Sequence, residues 1–175
     1  MRRLFVLLAA CLAASALAAG PAAAGDDDKP KRPKSPKKAK ANIEEAYTCF
    51  LSAALNYTIE QKLACVAEVG EDPEFLALAL ELSEANAAAA ALTEPDVGKI
   101  KFKSKKAAEV TFDLLIGGDP VLPDQGGGAV FVRDEEQDKR VWKVSALTLC
   151  NLFSLANPAL ATSGPCADII ANDRV

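Results

Sequence analysis

Four of the five cysteines lie after the first 24 residues, and they carry most of the chemistry that this sequence could offer, because the chain contains no histidine. They are Cys49, Cys65, Cys150 and Cys166. A structural zinc site normally contains a close cysteine pair such as C-x₂-C, and a redox-active thiol pair has the same spacing. No such spacing occurs among these four cysteines. The sequence therefore predicts no metal, no cofactor and two structural disulfides.

The positions of the cysteines indicate how they pair, although four cysteines allow three connectivities. If two helices form an antiparallel hairpin centred on Tyr57, Cys49 and Cys65 lie level with one another on either side of the bend. Cys150 and Cys166 are then left to close the C-terminal apolar segment. We expect the bonds Cys49–Cys65 and Cys150–Cys166, each contributing about 3 kcal/mol on the chain-entropy model.

Three side chains are the candidates for proton transfer in a chain without histidine, namely Tyr47, Tyr57 and Asp113. Apolar periodicity places Tyr47 on an ordinary core stripe of a helix, and strand alternation places Asp113 on a charged outer face. The G-x-S-x-G, P-loop and HExxH motifs are all missing from the sequence. The sequence therefore predicts no catalytic residue and a protein that is not an enzyme.

The N-terminus predicts export. Residues 1–24 have the layout of a secretory signal peptide, with two arginines, an apolar run from Leu4 to Leu17 and cleavage motifs that end at Ala18 and Ala24. The run is too short to cross a bilayer, so we expect a secreted or cell-envelope-associated protein without a transmembrane segment. Cleavage after either alanine stays open, and the tetrapeptide ending at Cys11 leaves lipidation as an alternative.

Residues 25–42 predict a disordered basic linker that is rich in proline and lysine. They contain seven basic residues, three aspartates and three prolines, whereas residues 43–175 have a net charge of −10. The linker has no apolar anchor and is expected to stay extended. It is either a solvated spacer or a contact to an anionic cell envelope, worth about 1 kcal/mol per basic residue. The acidic remainder argues against nucleic acid as a partner.

Residues 43–175 predict a single α+β domain, with N-terminal helices packed on an antiparallel sheet. The second helix is expected to end at Gly70, and the third to be buried around nearly its whole circumference. Three helix starts are marked by Asn42 with Glu45, by Thr58 with Gln61, and by Asp72 followed by Pro73.

Apolar alternation from Lys99 onward predicts a first β-hairpin. The expected register puts Phe102 opposite Val110 and Ile100 opposite Phe112, with two charged pairs on the other face. The charged pairs are Lys103 with Glu109 and Lys99 with Asp113.

A second hairpin is predicted after the glycine-rich sequence GGDPVLPDQGGG, which we expect to be a turn-rich excursion. The expected register points four residues to the core, with Val132 opposite Trp142 and Val130 opposite Val144. It leaves three apolar residues on the other face, namely Leu115, Phe131 and Val141.

The run AAEVTFDLLIGGDPVLPDQGGGAVFVRDEEQDKRVWKVSALTLCNLFSL, with the later SGPC, resembles the C-terminal domain of a secreted low-molecular-weight antigen family. That family occurs in mycobacteria and other actinobacteria. The hairpin VTFDLLIGGDPVLP, the strand around Trp142 and the late cysteine pair carry the resemblance, which spans roughly residues 43–166. It implies a cystatin-like cone of the nuclear-transport-factor superfamily, with helices on the concave side of a curved antiparallel sheet. It implies no catalytic residue.

The expected function is a non-enzymatic secreted or envelope-associated protein that binds an unknown protein or a small apolar ligand. Two alternatives are a pocket enzyme of the cone fold, similar to an isomerase or dehydratase, and a purely structural surface antigen. An internal pocket with a deep ionisable group would favour the enzyme. A filled interior would favour recognition at the surface.

Overall fold

The computed structural model describes residues 32–134 and 137–172. The predicted signal peptide 1–24, including Cys11, and linker residues 25–31 lie outside the described residues. The described chain is α+β, with six α-helices and one four-stranded antiparallel sheet in the order β1-β2-β3-β4. None of its helices is long and apolar enough to span a membrane.

Helices precede the sheet, as the sequence predicts, and further helices follow it. The first group is α1 Pro36–Leu51, α2 Ile59–Leu63, α3 Pro73–Ala85 and α4 Ala87–Ala90. The strands are β1 Thr93–Phe102, β2 Ala107–Ile116, β3 Asp119–Asp134 and β4 Lys139–Val144. After β4 come α5 Ala146–Ala156, a 3₁₀ turn Pro158–Ala161 and α6 Gly164–Ala171. The sequence pattern did not predict α5 and α6, because their residues are largely apolar and show little polar-face periodicity.

Helix α1 begins seven residues before the predicted start, at Pro36 instead of Ile43. Proline is tolerated in the first helical turn, and the following lysines and alanines are good helix formers. Ala39 is buried against the core, which adds packing to this early turn. The predicted cap at Asn42 is therefore wrong, and the last part of the predicted linker belongs to the fold.

Helix α2 has the predicted N-terminus and a different end. Thr58 accepts a hydrogen bond from the Gln61 backbone N–H, and the Gln61 side chain accepts one from Thr58, which is a complete capping box. The helix ends at Leu63 rather than Gly70, because the next residues extend along the edge of β4. There the Ala67 N–H donates to the Val144 carbonyl at 2.8 Å.

Helix α3 starts as predicted, since the Asp72 carboxylate accepts hydrogen bonds from two backbone N–H groups of the first turn. Its predicted burial is wrong. Only Phe75 and Ala79 are buried, and the four leucines are half-buried. The helix packs mainly against α2, α4 and α6, so most of its circumference is not covered by the sheet.

In the β1–β2 hairpin, the residues predicted to face the core do so, but the pairing of the two strands is shifted by two residues from the predicted register. Ile100 lies opposite Val110, and Phe102 lies opposite Ala108. The Lys103–Glu109 ion pair is present on the outer face, where Lys101 also contacts Glu109. The predicted pairing of Lys99 with Asp113 is absent, because Asp113 lies opposite Asp96 beyond an irregularity in β1.

The glycine-rich sequence predicted as an excursion is mostly strand. Gly117 and Gly118 form a two-residue turn with positive φ angles of 62° and 91°, and β3 begins at Asp119. Strand β4 pairs only with residues 129–134 of β3. Pro120 and Pro123 therefore lie where β3 is an edge strand. Since no β4 residue pairs with this part of β3, their missing N–H groups remove no hydrogen bond to β4.

The β3–β4 register differs from the predicted one by one residue, which exchanges the faces of β3. Phe131 lies opposite Trp142 with ring centroids 5.4 Å apart, and Ala129 lies opposite Val144. Val130 and Val132 therefore lie on the outer face. The run AVFVR is apolar at four consecutive positions, so alternation could not indicate which residues face the core.

Both expected disulfides are present. Cys49 bonds to Cys65 with a Cα–Cα distance of 6.1 Å, and Cys150 bonds to Cys166 with 5.3 Å. The first bond joins α1 to the extended segment beside β4, not to a second full helix. The second bond joins α5 to α6, which closes the C-terminal helical segment.

Candidate functional site

The interior between α1 and the sheet is filled by side chains. Tyr47 packs against Phe112 of β2, with ring centroids 5.0 Å apart and a tilt of 59°. The side chains that fill this space with 2% exposure or less include Ile43, Tyr47, Val110, Phe112 and Val144. The described side chains between α1 and the sheet thus pack against one another as in an ordinary protein core.

Tyr47 is the one proton-transfer candidate inside the fold, and its hydroxyl is held in a structural network. The hydroxyl donates to the Gly128 carbonyl at 3.1 Å and lies 3.2 Å from Thr148 Oγ1. The Gly128 N–H donates to Thr148 Oγ1 at 2.8 Å, and Ser145 Oγ lies 3.2 Å from the same atom. Burial raises the pKa of Tyr47 far above its ordinary value, against a smaller lowering by Thr148. The phenol is a satisfied core group and not a poised acid or base.

The network also explains one glycine of the GGG run. A Cβ atom at Gly127 would lie 2.6 Å from the Tyr47 hydroxyl and 2.6 Å from Thr148 Oγ1. Only a residue without a side chain lets α1, β3 and α5 approach this closely. Gly127 is thus required by packing and not by a turn.

The other two proton-transfer candidates lie away from this network. Tyr57 is 42% exposed in the loop after α1. Asp113 is half-buried on β2, where its carboxylate accepts a hydrogen bond from the Asp124 N–H at 2.7 Å. No hydrogen bond joins any two of the three within the described part of the chain. The structure does not assemble them into one site.

Metal ligation has no structural basis in the described residues. No group of three or more His, Cys, Asp or Glu side chains is arranged to hold an ion there. All four cysteines of this region are used in the two disulfides.

An open groove lies where the β3–β4 ribbon extends beyond β2. The pairing of β2 with β3 reaches only Ala107 and Val130, while β3 and β4 remain paired as far as Asp134 and Lys139. The turn before β2 lies alongside, and the Phe131 N–H donates to the Lys106 carbonyl at 2.7 Å. We call this depression the ribbon groove. Its lining includes Glu68, Ser104, Lys106, Phe131, Arg133 and Arg140.

The ribbon groove concentrates positive charge in an acidic domain. Arg133 and Arg140 are directly opposite each other in the β3–β4 ladder, and Lys106 lies across the groove. Arg133 forms an exposed ion pair with Asp138. Arg140 and Lys106 form no ion pair with any residue of the described ranges. Glu68 is the carboxylate among the lining residues.

The sequence pattern did not identify the ribbon groove. Its residues come from the α2–α3 loop, the β1–β2 turn and two strands, so their proximity depends on the topology. One signal was present, since Arg133 and Arg140 flank the turn DEEQDK symmetrically. A hairpin closed over that segment places the two arginines directly opposite each other in the ladder.

No protein-family model matches the chain, and no curated protein or solved structure is significantly similar to it. The features of the described chain that bear on function are the packed interior, the disulfides and the ribbon groove. The resemblance to the antigen family stays a prediction.

Proposed function

We propose that the protein is a non-enzymatic exported protein, secreted or associated with the cell envelope, that binds a partner or small ligand in the ribbon groove. Two disulfides are typical of proteins that fold in an oxidising compartment. Export is the proposal that reconciles these bonds with the signal-peptide pattern of residues 1–24.

The filled interior is the single observation that carries the proposal. Tyr47 occupies the space between α1 and the sheet, and its hydroxyl is tied to Gly128 and Thr148. A ligand would have to break this network to enter the core. The ribbon groove is open to solvent and needs no such rearrangement, so recognition at the surface is favoured.

The same observation weighs against the pocket-enzyme alternative. An acid–base enzyme needs a proton-transfer group within hydrogen-bond reach of its substrate. The buried Tyr47 hydroxyl already has partners on α5 and β3, and Asp113 lies at the opposite end of the sheet from the ribbon groove.

The arrangement of α1 against one face of a four-stranded antiparallel sheet supports a cystatin-like fold as part of this proposal. Such a fold is compatible with kinship to the secreted low-molecular-weight antigen family. Fold alone assigns no activity, so the proposed function depends on the groove and not on that kinship.

A fragment screen by two-dimensional NMR on the mature chain tests the proposal, because it does not require the ligand to be identified beforehand. We expect the backbone shifts caused by bound fragments to concentrate at residues 104–107 and 130–133. The substitution Ser104→Trp should fill the groove and abolish these shifts. Ser35→Trp places the same bulk at an exposed serine outside the groove and should preserve them.

Two results would contradict the proposal. Fragments that shift the amides around Tyr47 and Phe112 would show a ligand entering the interior, in favour of the enzyme alternative. Weak shifts scattered over the whole surface would favour a purely structural antigen.

A further inference from the structure

We infer that the ribbon groove binds a phosphate group, held between Arg133 and Arg140 on one side and Lys106 on the other. This inference rests on the proposed function and names the chemical class of the ligand. It applies to a phosphate carried by a small molecule or by a lipid headgroup.

The placement of the two arginines is the first observation. Arg133 and Arg140 are cross-strand neighbours in an antiparallel ladder, where like charges repel. Asp138 offsets the charge of Arg133 only, through an exposed ion pair. Arg140 has no acidic partner among the described residues. An anion between the two guanidinium groups would remove the repulsion and use their planar donors.

The number of cationic donors favours a phosphate over a carboxylate. Among the described residues that line the ribbon groove, three side chains are cationic and Glu68 is the one carboxylate, while Asp138, outside the lining, pairs with Arg133. A phosphate monoester carries close to two negative charges at neutral pH and offers three acceptor oxygens, whereas a carboxylate carries one charge and two oxygens. The phosphate therefore offers one acceptor oxygen for each of the three cationic side chains, which a carboxylate cannot.

Neighbouring groups offer a place for the rest of the ligand. Phe131 lines the ribbon groove and is half-buried against Trp142. Ser104 Oγ accepts a hydrogen bond from the Lys106 N–H at 3.0 Å, which leaves the Ser104 hydroxyl hydrogen to donate. An apolar or aromatic group next to the phosphate would thus contact Phe131.

Titration of the mature chain with phenyl phosphate, followed on the arginine Nε–Hε signals by NMR, tests the inference. We expect saturable shifts at Arg133 and Arg140, and binding about tenfold weaker in Arg140→Gln, which loses one charged donor. Lys99→Gln removes an equal charge from an exposed position that does not line the groove, and it should bind like wild type. Unchanged backbone spectra would show that both variants are folded.

Three outcomes would overturn the inference. The first is an equal response to sodium chloride at matched ionic strength, and the second is equal weakening in Lys99→Gln, since both indicate diffuse attraction. The third is benzoate binding as tightly as phenyl phosphate, because the site would then not select phosphate. In that third case the proposed function would still stand, whereas fragments located outside the groove would remove both.

Sedimentation with vesicles that contain phosphatidic acid, a lipid whose phosphate is a monoester, separates the two sources of phosphate. If the phosphate belongs to a lipid headgroup, Arg140→Gln should reduce vesicle binding more than Lys99→Gln does. Both variants keep the basic N-terminal segment, so its contribution to vesicle binding is the same in both. Equal vesicle binding, together with weaker phenyl phosphate binding in Arg140→Gln, assigns the groove to a soluble phosphate compound.

Discussion

Gly127 lies where α1, β3 and α5 approach one another closely. The Tyr47 hydroxyl from α1 and Thr148 Oγ1 from α5 would both lie 2.6 Å from a Cβ at this position of β3. Gly126 is the next residue along the same strand, and a Cβ there would meet no atom within 4 Å. From the sequence the two glycines are indistinguishable members of a flexible run, and only the crossing of α1 over β3 gives them different roles.

Gly127→Ala should therefore destabilise the protein, while Gly126→Ala should not. The added methyl group must displace Tyr47 or Thr148, which costs about 1–3 kcal/mol and disturbs their hydrogen bonds. At Gly126 the same change restricts only the unfolded chain and should alter the free energy of unfolding by less than about 1 kcal/mol. Urea unfolding of both variants measures the difference. Equal midpoints would contradict the close approach.

The buried Tyr47 phenol predicts a specific loss of stability at alkaline pH. Burial raises its pKa above the unfolded value of about 10, so the folded state keeps a proton that the unfolded state releases. The contribution of the buried neutral phenol to the free energy of unfolding is fully present below about pH 10. It then falls by up to about 1.4 kcal/mol per pH unit as the pH rises.

Unfolding of wild type and Tyr47→Phe at several pH values between about 8 and 11 measures this loss. The variant lacks the hydroxyl bonds and should be less stable at pH 8, by about 1 kcal/mol. The difference in the free energy of unfolding between wild type and Tyr47→Phe should become smaller above pH 10. Tyr57→Phe, which changes an exposed tyrosine, should follow wild type throughout. A constant difference between wild type and Tyr47→Phe would show that Tyr47 ionises equally in both states.

At the scale of elements, the sequence predicted which segments form strands better than how they pair. Alternation in β1 and β2 correctly placed Ile100 and Phe102 toward the core. It could not fix the register, because sliding one strand by two residues leaves every side chain on the same face of the sheet. Glu109 could not decide the register, because it contacts both Lys101 and Lys103. In β3, four consecutive apolar residues show no alternation, so the sequence could not indicate which of them face the core.

The two disulfides differ in how deeply the structure encloses them. Cys150 and Cys166 are fully buried between α5 and α6, whereas Cys49 and Cys65 are half-buried beside the edge of β4. Thiol–disulfide exchange requires a thiolate to reach one sulfur atom, so access should control the order of reduction under native conditions.

We expect mild reduction of the folded protein to open Cys49–Cys65 before Cys150–Cys166. Brief dithiothreitol treatment, alkylation and peptide mapping should label Cys49 and Cys65 first. In denaturant the enclosure is lost, and the two bonds should be reduced at similar rates, which serves as the control. Earlier labelling of Cys150 in the folded protein would show that the C-terminal helices open more readily than the segment beside β4.

Over the whole molecule, the charge distribution was visible in the sequence, but the boundary of the folded domain was not. The basic N-terminal segment and acidic remainder follow from composition alone. The positive charge of the ribbon groove could not be predicted from the sequence, because only the fold brings Lys106 close to the strands that carry Arg133 and Arg140. Likewise, the basic character of residues 36–42 suggested linker, although these residues form the first turns of α1.

The domain boundary can be tested by truncation. A chain beginning at residue 32 retains all of α1 and should unfold at the same temperature as a chain beginning at residue 25. A chain beginning at residue 43 loses two helical turns and the buried Ala39 contact, a loss of about 1–2 kcal/mol that lowers the unfolding temperature by several degrees. Calorimetry on the three chains measures this. Identical unfolding temperatures for all three would show that residues 36–42 add nothing to the fold and would restore the boundary at residue 43.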